Sequence, residues 1–143
     1  MIHLRLVVDT NILIAAMLKD STARKILLST PIDFYVPEFV FEEIEEHIEE
    51  LSRKNKLTAE ANREVLGIIR RHVHVIKKED IGTVYSEAEE IMRDIDIDDS
   101  ACLAAALSME CDGIWSHDRH FVRQDRIRIW LTKDLVHFIE INA

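Results

Sequence analysis

The chain predicts an α/β fold, a central parallel sheet flanked by helices on both faces, and three observations point to it. Its 143 residues hold only 3 Gly and 2 Pro, too little turn chemistry for a protein built of tight hairpins. Short runs rich in β-branched residues alternate with longer stretches of helical periodicity, the pattern of strands joined by crossover helices. At 48% hydrophobic and 31% charged, the composition supplies one core for one domain over residues 1–143.

Leu4 to Val8 is a short apolar run that reads as a buried strand; Asp9-Thr10-Asn11 follows, and the apolar stretch to Leu18 reads as a helix. Phe34 to Val36 repeats the strand pattern. Pro37 stands where a first helical residue belongs, and the Glu-rich segment to Leu51 carries Val40, Phe41, Ile44, Ile48 and Leu51 on one stripe. Ser52 to Lys56 reads as a turn, Thr58 caps a helix to about Arg71, and Val73 to Ile76 is a third strand. Helices are expected from Ser86 to Arg93 and from about Asp98 to Met109, the second with an Ala-rich face suited to close packing. Cys111-Asp112-Gly113 ends it, Ile114-Trp115-Ser116 is a short strand, and Ile127 to Trp130 is a last, edge strand. Trp115 and Trp130 sit in apolar runs and read as core or edge-strand aromatics. The order β-α-β-α-α-β-α-α-β is what a parallel sheet with right-handed crossovers produces.

With 18 Lys plus Arg against 27 Asp plus Glu, the formal net charge is -9, so a nucleic-acid partner must be met by a local patch. Cys102 and Cys111 make neither a CxxC pair nor a zinc set, which counts against a stapled secreted fold and predicts a reducing, cytoplasmic setting. No apolar run approaches the ~20 residues of a membrane span, and no signal-cleavage pattern follows the first strand.

In parallel sheets, ligands bind in the crevice beyond the carboxyl ends of the strands. Asp9 follows the first strand and Asp118 follows Trp115-Ser116, so both carboxylates should emerge at that edge. The helices beginning near Pro37 and near Asp98 start there too. Side chains advance about 100° per residue along a helix, which puts Asp99 on the face of Leu103, Ala106 and Leu107 and rotates Asp98 away. By the same phase, Glu43 flanks the stripe of Val40, Ile44 and Ile48, Glu45 flanks its other side, and Glu42 and Glu46 point away. Geometry leaves both Glu43 and Glu45 open. Carboxylates about 4 Å apart repel by about 4 kcal/mol at an effective dielectric near 20, so a cation belongs among them, and hard oxygen donors select Mg²⁺ or Mn²⁺. Singly, each acid also has an ordinary use as a cap, a turn residue or a solvated face.

Four segments in order resemble the PIN-domain ribonucleases: Val7-Val8-Asp9-Thr10-Asn11-Ile12-Leu13, Pro37-Glu38-Phe39-Val40-Phe41-Glu42-Glu43-Ile44, Asp96-Ile97-Asp98-Asp99-Ser100-Ala101-Cys102-Leu103-Ala104-Ala105-Ala106-Leu107, and Ile114-Trp115-Ser116-His117-Asp118-Arg119-His120-Phe121. The resemblance implies that Asp9, Glu43, Asp99 and Asp118 are the catalytic acids, which selects Glu43 over Glu45, with Asn11 and Ser116 as supporting polar residues. It implies Mg²⁺ or Mn²⁺ held by Asp9, Asp99 and Asp118, with Glu43 and Asp96 as further candidate ligands. His120 stands where many members have another Asp. The implied reaction is metal-dependent hydrolysis of RNA phosphodiester bonds, with Glu43 orienting or deprotonating the attacking water.

The stretch Arg119, Arg123, Arg126, Arg128 and Lys133 is basic against an acidic whole, and Arg119, Arg123 and Arg126 are the candidates for steering RNA, single-stranded or structured. The competing reading is a solvated face with ion pairs to Asp125 and Asp134. His117 and His120 bracket Asp118 at a spacing zinc could use, but no Cys partner or HExxH motif joins them. A phosphatase with an Asp nucleophile would need an acid two residues after Asp9, where Asn11 stands. Small single-domain members resemble the toxin halves of toxin-antitoxin pairs, so the resemblance also implies a small antitoxin partner and a homodimer. The alternative is a catalytically impaired PIN-like module that binds protein or RNA, for which His120 is the motive.

Overall fold

The computed structural model describes residues 3–18, 21–28, 31–82, 85–93 and 100–142. Its strands are β1 (Leu4–Val8), β2 (Ile32–Pro37), β3 (His74–Ile76), β4 (Gly113–Trp115) and β5 (Ile129–Trp130). They form one sheet in the order β3-β2-β1-β4-β5, and every pairing is parallel. The helices are α1 (Thr10–Met17), α2 (Thr22–Leu27), α3 (Glu38–Glu46), α4 (Ile48–Asn55), α5 (Ala59–His72), α6 (Lys78–Ile81), α7 (Tyr85–Met92), α8 (Ser100–Leu107) and α9 (Thr132–Ile141).

Register and pleat divide the core in two. Leu6 pairs with Phe34, and Val8 with Trp115; alternate residues point to opposite faces, so Leu4, Leu6, Val8, Phe34, Trp115 and Trp130 join one cluster. Buried residues of α1 to α5 and Leu135 of α9 complete that cluster. Val7 and Ile114, which pair with each other, face the other way, against Ile81, Ala88, Met92 and the Leu103 to Ala106 run of α8. Both faces are covered, which is why β1 reads as an almost continuous apolar run and not as an alternating one. Gly113 has φ 146°, and a Cβ there would collide with the Arg128 carbonyl and stand 2.7 Å from Trp130, so glycine is what lets β4 and β5 close together.

The structure departs from the sequence reading at several points, among them Pro37, which ends β2 and caps α3 instead of opening the helix. The helix expected from Pro37 to Leu51 is two helices meeting at His47, and Ser52 to Asn55, expected as a turn, belong to the second. The apolar stripe runs on through the break: Ile44, Ile48 and Leu51 are all buried, so periodicity carries no sign of it. Three helices were not expected. α2 and α6 have only 6 and 4 residues, too short for a periodic signal. α9 is longer, and its readable signals were Asp134, whose carboxylate accepts the Leu131 N–H at 2.8 Å, and the apolar set Leu135, Phe138 and Ile139. In the basic stretch, for which a solvated face paired to Asp125 and Asp134 is the competing reading, Arg126 bonds Glu87 at 2.6 Å, Arg128 lies 3.7 Å over the Trp130 ring, and Asp134 caps α9.

Candidate active site

The chain runs outward from β1 through β2 to β3, then crosses to the other side of β1 to lay down β4 and β5. The strand order reverses at β1 and β4, and it is outside the carboxyl ends of strands at such a point that open parallel sheets bind ligands, which makes this edge the candidate crevice. Asp9 is the first residue after β1, and Ser116 the first after β4. Asp9 is 6% exposed, and its N–H extends the sheet by donating to the Trp115 carbonyl at 3.1 Å. Although the helix starts at the next residue, its side chain does not cap the N–H groups further into the first turn of α1, and only the adjacent Thr10 N–H faces it.

A single hydroxyl orders the two acids at this edge. Ser116, fully buried, donates through Oγ to Asp9 Oδ2 at 2.7 Å, and the same oxygen accepts the Asp118 N–H at 3.0 Å. Asp118 Oδ1 in turn accepts the His120 N–H at 2.9 Å, and the His120 Nδ1 stands 3.2 Å from it. From the opposite wall, Thr10 Oγ1 donates to Glu43 Oε2 across 3.4 Å. Burial raises the Asp9 carboxyl above the ordinary carboxylate range; the bonds from Ser116 and the Thr10 N–H oppose this, and the charges of Asp118 and Glu43 add to it. Asp9, Glu43 and Asp118 therefore share one electrostatic environment.

The other acids of α3 go elsewhere. Glu45 accepts from Arg63 Nε at 2.7 Å and Glu42 pairs with Lys78 at 2.7 Å, so tertiary contacts separate Glu43 from Glu45 where helical phase did not. Asp96, Asp98 and Asp99 lie outside the described residues. Asn11 is exposed at the start of α1. Arg119 and Arg123 are exposed on the segment that follows Asp118, whereas Arg126 is engaged with Glu87. His117 Nε2 is tied to Thr132 Oγ1 at 2.6 Å, so the two histidines around Asp118 serve different partners.

A family model described as PIN domain matches residues 7–136. The chain belongs to the PIN-domain family. PIN domains are generally nucleases. No curated protein sequence matches the chain significantly.

Two residues that order the segments after β4 and β5 of this PIN domain have no part in the sequence reading. Gln124 is buried in the segment after Asp118, donating to the Phe121 and Ile127 carbonyls at 2.8 Å and accepting the N–H groups of Arg126 and Ile127 at 2.9 Å. Nothing in the local pattern distinguishes it from its solvated neighbours. Thr132 accepts from Trp115 Nε1 at 3.1 Å as well as meeting His117, which docks α9 beneath the crevice. Among the described residues no three His, Cys, Asp or Glu side chains converge closely enough to ligate one ion. The oxygen donors at this edge, the carboxylates of Asp9 and Asp118 linked through Ser116, are of the hard type that suits a divalent cation such as Mg²⁺ or Mn²⁺.

Proposed function

We propose that this PIN domain is a metal-dependent ribonuclease acting on single-stranded or structured RNA in the cytoplasm, as the toxin half of a toxin-antitoxin pair. A small antitoxin protein and a second copy of the chain are its proposed partners. The observation that carries the reading is Asp9: a carboxylate only 6% exposed, with a hydroxyl as its neighbour and like charges on both sides. Such a group is costly in a purely structural role and well placed for a cation.

Mg²⁺ or Mn²⁺ would be held by Asp9, Asp118 and, through the family resemblance, Asp99, with Asp96 as a further candidate. When bound, it neutralises charge on the phosphoryl group and lowers the pKa of a bound water. The remaining work falls to the chain. Ser116 fixes the Asp9 carboxylate and the Asp118 backbone through one oxygen, so the two acids are presented in a set relation. Glu43, steadied by Thr10, takes the proton of the attacking water, and Arg119 and Arg123 steer the phosphate backbone toward the crevice.

The test is cleavage of single-stranded and hairpin RNA with chelator, with Mg²⁺ and with Mn²⁺, for the original chain and Asp9→Asn. Cleavage that needs metal and is lost in the variant is expected. Binding of RNA without cleavage under any metal would instead favour the impaired-module reading for which His120 is the motive.

A further inference from the structure

A cleft of about 200 Å³ opens beside the crevice, between α1 and the α3–α4 junction. Thr10 and Glu43 line it, so the crevice and the cleft share a wall. Ile14, Ile44 and Leu51 supply apolar surface, while His47, Glu50 and Lys54 stand at its polar rim. Its volume is below the roughly 300 Å³ at which sites for drug-sized ligands begin, a size suited to one ring system.

Its rim is set by the break between two helices. α3 and α4 part at His47, at φ -108° and ψ 20°, a helix-ending conformation close to those of Leu28 and Asn142. No Pro or Gly stands within a turn of it to account for the break. Glu50 meets His47 Nδ1 at 3.8 Å and Lys54 Nζ at 3.7 Å, and all three side chains are more than half exposed. Pairs of that kind contribute little and are cheaply exchanged for a ligand.

We propose that this cleft receives the base of the nucleotide next to the scissile phosphate, and that His47, Glu50 and Lys54 read its edge. The proposal rests on the ribonuclease reading of the crevice and deepens it by naming the residues that set base preference. Apolar side chains would contact the faces of the ring, two donors and a carboxylate acceptor would meet its polar edge, and unstacked RNA offers such edges. A phosphate at the carboxylates and a base in the cleft are neighbouring positions because Glu43 touches both.

The experiment has two arms. In the first, the methyl resonances of Ile14, Ile44 and Leu51 are followed by NMR while each of the four nucleoside 5′-monophosphates, or ribose 5-phosphate, is added. Shifts with at least one nucleotide and none with ribose 5-phosphate are expected. In the second, RNAs varied or made abasic at each position beside the cleaved bond are compared. A preference of at least ten-fold at one position is expected, falling to within about two-fold in Glu50→Gln and in His47→Ala, with cleavage of the abasic RNA unchanged by either. Cleavage with no base preference and no methyl shifts overturns the subsite and leaves the nuclease reading standing. Methyl shifts specific to a base, with no RNA cleaved by the original chain, support the subsite and overturn the nuclease reading.

Discussion

Glu42 and Glu45 of α3 each end on a cation, whereas Asp9, at the end of β1, ends on the Ser116 hydroxyl. The α3 acids are about half exposed, and water screens what Lys78 and Arg63 do not neutralise. Lys78 is raised above its ordinary range by its bond to Glu42, as a satisfied surface pair requires. Asp9 is shielded from water and lies near two like charges, and among the described residues none of the basic side chains pairs with it. Two acidic regions within one small protein thus have opposite electrostatics. Charge density in the sequence does not distinguish them; burial does.

The largest effect expected from this difference is on rate. Asp9→Asn should lower RNA cleavage by 10²-fold or more, the scale on which one preorganised charge-stabilising group acts, while Glu42→Gln and Glu45→Gln stay within about two-fold. Initial rates on one RNA at saturating Mn²⁺ measure this, and equal damage from Glu42→Gln would erase the distinction between the regions.

Metal should separate them next. A divalent ion that binds only the folded crevice adds about 2.7 kcal/mol at 100 times its dissociation constant, which moves the thermal midpoint up by several degrees. Melting curves with chelator and with Mn²⁺ should show that shift in the original chain and in Glu45→Gln, and lose it in Asp9→Asn. A shift retained by Asp9→Asn would place the ion elsewhere.

A smaller effect concerns pH in the presence of chelator. Asp9 is raised above its unfolded value, so in the window between the two values the folded state binds more protons than the unfolded one. Its contribution to stability is therefore present below the ordinary carboxylate range and is lost as pH rises through the raised one. Denaturant midpoints followed across mildly acidic pH should show that loss in the original chain relative to Asp9→Asn, in which this part of the dependence disappears. An identical pH profile for the two would mean that Asp9 titrates alike in both states.

The smallest effect belongs to the α3 surface. Arg63→Ala removes the partner of Glu45 and should change stability by about 0.2–1 kcal/mol, with RNA cleavage unchanged. A loss of several kcal/mol in a denaturant titration would show that this pair is more than a solvated contact.

Much of the fold is legible in the chain because local patterns and burial agree there. Leu4 to Val8, the Ile114-Trp115 strand and the Ala-rich α8 carry their element type in composition and period, and the placing of Asp9 directly after a strand and of Asp118 shortly after another follows from those elements alone; Ser116, read as the end of that strand, stands just past it. Strand ends and helical phase also point to Asp118, to Asp99 and to Glu43 or Glu45, and the family resemblance selects Glu43 by its order along the chain. What the sequence leaves open depends on contacts between distant residues. Glu43 and Glu45 are near-mirror positions about one stripe, and only the packing of α3 against α1 and α5 turns one toward Thr10 and the other toward Arg63. The break at His47, the folding of the segment after Asp118 around Gln124, and the docking of α9 through Thr132 likewise have no local signal. A periodic sequence specifies which face of an element is apolar; where its polar side chains end is decided by what the rest of the chain brings beside them.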